Sequence, residues 1–296
     1  MRTFVARRLL RINANFYRQF GAEFAASRSA LQPGMLRALQ ALDGCAALLD
    51  VGCGNGRFAG ALPAPVQYVG VDSSAALLGC ATPRAGARLL QLDLMNAAWV
   101  LRMRRRFPAI VCFAVLHHVP GARRRLRLLR QLHGLLRPGG VCVLSVWQFV
   151  HVPRLRRKIC DWQQAGITAA QVDAHDYLLD WQRGGSGLRY AHQFSVPELE
   201  QLCTRAGFEI RQLKKQVQAE QCELNNDNWP QLSEKDWYRV MFQTAKEEEV
   251  YILVCRWDVR DFMRNYRGFV LFECDYLKPS AKEIFLEMTK HERFDE

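Results

Sequence analysis

The sequence predicts an α/β fold, a mostly parallel sheet covered by helices on both faces, and two features carry that expectation. Near-continuous apolar runs of strand length recur at 46–51 (AALLDV), 66–71 (VQYVGV), 87–92 (ARLLQL), 109–115 (AIVCFAV) and 141–147 (VCVLSVW), with helix-compatible stretches between them. Strands buried on both faces read as continuous apolar runs, and parallel neighbours need a crossover, usually a helix. The first run also ends in a glycine-rich turn, and turns at the carboxyl ends of such strands are where open sheets bind ligands.

Taken in order, helices are expected at 16–26, 35–42, 74–81 and 122–136. The last stops at Pro138-Gly139-Gly140, because proline lacks the amide donor and its ring clashes with the preceding turn. Residues 150–195 read as mixed, aromatic and loop-like, with a turn at Gly184-Gly185. A helix follows over 197–206, with Pro197 in its first turn and Ser195 or Val196 at its start. A strand is expected from Gly207, and 250–257 (VYILVCRW) can pair with it across an insertion at 213–249. The organisation expected is a domain over 1–257 and an acidic C-terminal extension over 258–296, without repeat or motif.

Composition narrows the function classes. The chain has 296 residues, 49 % hydrophobic and 24 % charged, the balance of a globular protein able to bury a core, not of a disordered one. Its most apolar stretch, 107–122, holds two prolines, His117 and His118 and is too short and polar to cross a bilayer, so no membrane span is expected. Ten cysteines show neither a CxxC pair nor zinc spacing and read as thiols of a reducing compartment, with no metal. The expected location is cytoplasmic, with a nuclear pool as the other option. The first 22 residues hold five arginines and no acid, as an organelle presequence would, but they lack serine and the helical pattern starts almost at once.

Charge is distributed unevenly. Residues 1–213 carry 27 Arg and 1 Lys against 12 acids, whereas 214–296 carry 6 Arg and 7 Lys against 17 acids. A strongly positive body suits a polyanionic partner, although arginine-rich composition alone would also give a solvated basic surface.

The chemistry-bearing segment is LLDVGCGNGRFAG, 48–60. Gly52, Gly54 and Gly56 let the chain turn sharply and approach a ligand. Arg57 stands where a dinucleotide fingerprint needs its third glycine, so the spacing GxGxG favours S-adenosylmethionine over a nicotinamide cofactor. Asp50 suits a cationic amino-acid moiety and would repel a pyrophosphate. Asp72 ends the second run, 18 residues beyond Gly54, where a carboxylate can accept ribose hydroxyls. Asp93 ends the third, where it and the amide of Leu94 can read an adenine edge.

Further along lies FAVLHHVPGARRRLRLLRQLHGLLRPGGVCVLSVW, 113–147, followed by DYLLDW (176–181) and RYAHQF (189–194), and preceded by NFYRQFGAEFAASR (15–28). With the glycine turn, these resemble the tRNA wobble-uridine carboxymethyl methyltransferases, which occur as free enzymes and as the end domain of a fused AlkB-type hydroxylase. The resemblance covers roughly 12–212. It implies a class I, Rossmann-like fold with a mostly parallel seven-stranded sheet, S-adenosylmethionine as cofactor, and esterification of 5-carboxymethyluridine in the tRNA anticodon stem-loop. It also implies His117, Arg28 and Arg189 as catalytic groups at the methyl end. Contacts to substrate would come from His118, Trp147, Asp176, Trp181, Tyr190 and His192. A small zinc-containing activator protein would extend the sheet along the third strand. Separately from the resemblance, the basic cluster with Arg154, Arg156 and Arg157, which follows a strand's carboxyl end, is expected on tRNA phosphates. The chain departs from the family at Ala191, where RYYH is usual, at Asp180, where proline is usual, and after Leu213.

Two other function classes remain open on sequence. One is a small-molecule O- or N-methyltransferase with His117 or His118 as general base, and the other is a binding protein that has lost turnover.

Overall fold

A computed structural model of the chain describes residues 1–28, 31–82, 85–219 and 245–254. Residues 258–296 and most of the expected insertion lie outside the described residues.

The central sheet is built from β1 (Ala47–Val51), β2 (Gln67–Asp72), β3 (Arg88–Gln91), β4 (Phe107–Phe113) and β5 (Leu136–Trp147), completed by β9 (Ile210–Ala219) and β10 (Ala245–Val254). The strand order is β3-β2-β1-β4-β5-β10-β9. The first five are parallel, and β10 runs antiparallel to both β5 and β9. The chain reverses direction across the sheet between β1 and β4, and such a switch point opens a crevice at the carboxyl ends of the strands.

The five apolar runs thus become the five parallel strands, and the continuous pattern has the expected cause. Leu48, Ala109 and Val111 pack with Met35, Phe58 and Tyr68 on one face. Leu49, Ile110 and Leu144 pack with Leu128, Leu132 and Leu202 on the other. The covering helices are α2 (Pro33–Ala41) on the first face and α4 (Ala122–Leu135) with α6 (Val196–Arg205) on the second, while the helix expected over 74–81 is the short α3 (Ala75–Gly79), capped by Ser74. Ser195 caps α6 by accepting from the Glu198 amide, with Pro197 in the first turn. β5 starts directly at Leu136, so Pro138-Gly139-Gly140 forms the irregular beginning of a strand, with a register shift opposite Phe107 and Ala109.

Two elements differ from expectation. Helix α1 spans Thr3–Ala26, starting well before residue 16, and bends at Phe20, whose φ/ψ of −115/16 is not helical. Its arginines conceal an inward stripe of Val5, Leu9, Phe16 and Phe20. Residues 150–195, expected as loop, form a short helix α5 (Pro153–Arg156) and a second antiparallel sheet of β6 (Ile159–Cys160), β7 (Asp176–Trp181) and β8 (Gly187–His192), in the order β6-β7-β8. Its pattern was unreadable because both faces are covered: Leu178 packs on Val5 and Leu9 of α1, while Leu179 packs on Phe149 and Val152. With consecutive side chains buried on opposite faces, the period-2 signal disappears. Gly184 and Gly185 do form the turn of this hairpin.

Among the described residues no helix is long and apolar enough to cross a membrane, and no cluster of His, Cys, Asp and Glu could hold a metal.

Candidate active site

At the end of β1 the chain enters its glycine turn, and backbone bonds fix the shape. The amides of Gly52 and Cys53 both donate to Val71 O, at 2.8 and 3.1 Å, and Gly54 N donates to Asp72 Oδ2 at 2.9 Å. Gly52 has φ +75, and a Cβ there would stand 2.1 Å from Val115 Cγ2, so conformation and space both require glycine. The other oxygen of Asp72 accepts from Ser74 N at 2.8 Å. Asp93 Oδ1 accepts from Met95 N at 2.8 Å, which presents Leu94 to the crevice.

The crevice is a cavity of about 690 Å³ walled by Asp50, Gly52, Gly54, Asp72, Asp93 and Leu94. Six of the seven expected cofactor residues therefore converge. Gly56 is the exception: with φ +68 it turns the chain into a short helical segment, Arg57–Ala61, and does not face the cavity. Arg57, noted in sequence only as a missing glycine, donates to Arg28 O at 2.9 Å and ties the turn to the end of α1.

The electrostatics of this half favour a cationic ligand. Burial raises the Asp50 carboxyl to about 7, against a hydrogen bond from Tyr68 OH at 2.6 Å that opposes the shift. Burial also raises Asp72, opposed by the amides of Ser74 and Gly54. Each would be relieved by positive charge entering the cavity. S-adenosylmethionine, the cofactor expected for this turn, carries an ammonium and a sulfonium, so the donor set and the space fit it.

The opposite wall comes from α1 and the histidine pair. His118 lines the cavity with Tyr17, Asn13 and Arg28. Its Nδ1 lies 2.9 Å from Tyr190 O and its Nε2 2.9 Å from the Tyr17 hydroxyl. Burial, followed by repulsion from Arg189 and Arg28, lowers it to about 4, although its bond to the Tyr190 carbonyl opposes this. Asn13 is 6 % exposed and grips the edge of β8, accepting from Tyr190 N at 2.7 Å and donating to Tyr190 O at 3.1 Å. Ala114 leaves β4 in the left-handed region at φ 55, held by Ser145 through Oγ at 3.0 Å. His117 is buried behind this wall, its Nδ1 accepting from Trp147 N at 3.1 Å. Burial, and next His118, holds it well below the usual histidine range.

Arg189 sits behind Tyr17 in an aromatic box. Its guanidinium carbon lies 4.8 Å from the ring centre of Phe16, 5.7 Å from Phe24 and 5.1 Å from both Trp147 and Trp181. It is 3 % exposed, its Nε has no hydrogen-bond partner among the described residues, and burial, offset by Tyr17, lowers its pKa. Arg28 lies over Phe24, with its guanidinium carbon 3.7 Å from the ring centre.

The other expected substrate residues divide into two places. Asp176, Tyr190 and His192 are bonded to one another inside the protein: Asp176 Oδ1 accepts from Tyr190 OH at 2.7 Å and bonds His192 Nδ1 at 2.8 Å. His192 Nε2 reaches Glu198 at 3.0 Å, and the buried Arg125 lies 3.6 Å from Glu198. These groups do not line the cavity. Arg154, Arg156 and Arg157 are exposed on and after α5, also away from it. Tyr17, Asn13, Tyr68, Arg125 and Glu198 were missed. Arg125 had a signal, since it holds an inward position three, four and seven residues before Leu128, Leu129 and Leu132.

Residues 22–213 match the family model described as a methyltransferase domain. The chain belongs to that family. This methyltransferase is 31 % identical over 163 residues to a protein of Encephalitozoon cuniculi named for a methyltransferase, covering 55 % of this chain and 70 % of the relative. It is 31 % identical over 132 residues to a tRNA (carboxymethyluridine(34)-5-O)-methyltransferase of Arabidopsis thaliana, covering 44 % of this chain and 31 % of the relative. It is 32 % identical over 100 residues to the protein of the same name from Saccharomyces cerevisiae, covering 33 % of this chain and 34 % of the relative. The match thus spans about a third of each of these two tRNA methyltransferases. Among solved structures, the methyltransferase superposes on the Burkholderia thailandensis 1,6-didemethyltoxoflavin N1-methyltransferase with TM-score 0.52 at 17 % identity, covering 86 % of this chain and 90 % of that one. A S-adenosylmethionine-dependent methyltransferase from Clostridium acetobutylicum gives TM-score 0.50 at 14 % identity, covering 79 % and 97 %. These likenesses establish the class I fold.

Proposed function

We propose that this methyltransferase esterifies the carboxymethyl group of a wobble uridine in tRNA, with S-adenosylmethionine as the methyl donor. The observation that carries the reading is Arg189, a cation buried in a box of four aromatic rings, its Nε without a partner among the described residues, set behind the cavity wall that Tyr17 and His118 form. Arg189 has no carboxylate partner among the described residues; a charge buried in that way is costly, and an anionic substrate group would offset the cost.

The bound cofactor supplies an electrophilic methyl group. The carboxylate nucleophile is already ionised at neutral pH and needs no general base. What the protein contributes is alignment and dehydration, which in favourable cases account for about 7–11 kcal/mol of a barrier. A neutral His118 suits this task, because it can orient a carboxylate without protonating it. His117 holds the Trp147 backbone and positions one wall of the Arg189 box. Trp147 and Trp181 act as walls of that box and as candidate stacking surfaces for an extruded base. Arg154, Arg156 and Arg157 would meet tRNA phosphates. The outer edge of β3 is the site for a small zinc-containing activator pairing as an added strand, and the free thiols accord with a cytoplasmic setting.

The test is to incubate the purified chain with labelled S-adenosylmethionine and tRNA carrying 5-carboxymethyluridine, then digest to nucleosides and analyse by mass spectrometry. A base-labile methyl ester at the wobble position is expected. Cofactor binding without ester formation, in the presence of the activator, would overturn the proposal.

A further inference from the structure

The outer face of α4 carries positive charge that the active site does not use. Its sequence, ARRRLRLLRQLHGL, holds five arginines and no acid. Arg125 turns inward to Asp176 and Glu198. Arg123, Arg127 and Arg130 are exposed, and their separations of four and three residues place them in one row along the helix. Arg205, exposed at the end of α6, extends the row, since Arg130 Nη2 donates to its carbonyl oxygen at 3.5 Å.

Neutral carbonyls anchor two of these guanidiniums, those of Arg127 and Arg130. Arg127 Nη2 donates to Met95 O at 3.0 Å, and among the described residues none of the four arginines forms an ion pair. Nor does the row serve the helix. α4 has no acid in its first turn and no side-chain cap at Gly121, so Arg123 opposes the positive end of the helix dipole. The placement connects the row with the cavity: Val119 lines the cavity, α4 begins at Ala122, and its 14 residues lead about 21 Å from that rim.

We propose that this row is a docking track for the phosphate backbone of an RNA stem whose single-stranded end reaches the cavity. Identifying that stem as part of a tRNA rests on the function proposed above. Guanidinium forks match phosphate oxygens, and a row of them tracks a regularly spaced backbone. The exposed large apolar side chains among the described residues, Phe4, Leu36 and Leu101, lie on neither α4 nor α6, which disfavours a membrane or an apolar protein partner. The chain's own acidic end is a weak counter-charge, because residues 214–296 set 13 bases against 17 acids.

The test uses the full-length double variant R127Q/R130Q. Binding is measured across a salt series to tRNA and to a duplex RNA hairpin of unrelated sequence. The variant should lose affinity for both RNAs by roughly tenfold or more, and the slope of log affinity against log salt should fall by about one to two. KM for tRNA should rise with kcat at saturation unchanged, and calorimetric affinity for S-adenosylmethionine should stay the same. Unchanged RNA affinity and slope would overturn the track. If that came with increased proteolysis of 220–296, the row would be assigned to the chain's own acidic end instead. Loss of hairpin affinity without wobble ester formation by the parent protein would keep the track and remove the tRNA reading. Ester formation with unaltered RNA affinity would do the reverse.

Discussion

Tyr17 donates its hydroxyl proton to Nε2 of His118 at 2.9 Å. The direction follows from the ring's other side, where Nδ1 faces a carbonyl oxygen and must itself carry a proton. With its pKa at about 4, the ring is neutral and fixed in one tautomer at neutral pH. Because neither this ring nor a substrate carboxylate titrates there, single-turnover rates at saturating cofactor should be flat from about pH 6 to 9. A rate rising tenfold per pH unit would point to a substrate hydroxyl and sink the carboxylate reading. Tyr17→Phe should lower the rate by about tenfold while leaving cofactor affinity within twofold.

Arg189→Lys keeps the charge but loses the planar fork that lies among four rings. kcat/KM for tRNA should fall on the order of 100-fold, about 2.7 kcal/mol. Near-UV circular dichroism should be retained. An active lysine variant would mean that Arg189 serves only packing.

Cofactor affinity should follow Asp50. Its folded pKa of about 7 lies above the ordinary 3.8, so the carboxyl binds a proton that the unfolded chain releases between those values. Its ionisation therefore subtracts stability from the cofactor-free protein as pH rises to 7, while a cationic ligand favours the ionised form. Affinity for S-adenosylmethionine, measured by calorimetry, should weaken as pH drops below about 7. Tyr68→Phe removes a bond that lowers the carboxyl's pKa and should move this midpoint upward. Asp50→Asn should bind weakly and without the pH dependence.

Gly52→Ala should abolish cofactor binding and destabilise the fold by at least about 2 kcal/mol, through left-handed backbone strain and the collision with Val115. Adding Val115→Ala removes the collision and should restore part of the stability in urea unfolding. If the double variant is no better than the single one, steric contact is not the cause.

The Asp176–His192–Glu198 group tests whether a shared motif serves substrate or scaffold. Asp176→Asn should cost about 3 kcal/mol, as loss of one buried ionic partner does. Methyl transfer per folded molecule should change less than twofold. Burial alone would lower His192, but its bonds to Asp176 and Glu198 outweigh this and raise it above 6.5. Burial would raise Glu198, yet His192 and Arg125 hold it below 4.5. The histidine's contribution is complete below 6.5 and lost as pH rises through its folded value, and the glutamate's is present above 4.5 and lost as pH falls through its own. Melting temperature should therefore be most sensitive to Asp176→Asn between 4.5 and 6.5.

The cofactor half was legible because its residues are local: Asp50, Gly52 and Gly54 lie within one five-residue segment, and Asp72 and Asp93 end successive apolar runs. The substrate half was legible as residues but not as roles. His118 and not His117 faces the cavity, a choice made by how β8 and α1 close around the pair, and no spacing within LHH could reveal it. Tyr17 and Arg189 meet across 172 residues of sequence, so only folding juxtaposes them. The second sheet escaped notice because Leu178-Leu179 and Tyr190-Ala191 are buried on both sides.

The last described strand in the sequence, β10, lies inside the sheet, between β5 and β9. A ribosome emits the chain from its N-terminus, so the outer edge of β5 must wait unpaired until residue 254 has emerged. For the whole of that interval a strand edge is open to other nascent chains, and this is the species on which a chaperone would act. The domain is therefore committed late in synthesis, and a stop codon between β9 and β10 should give an aggregating product even though every residue lining the cavity, the last being Val119, would already be present.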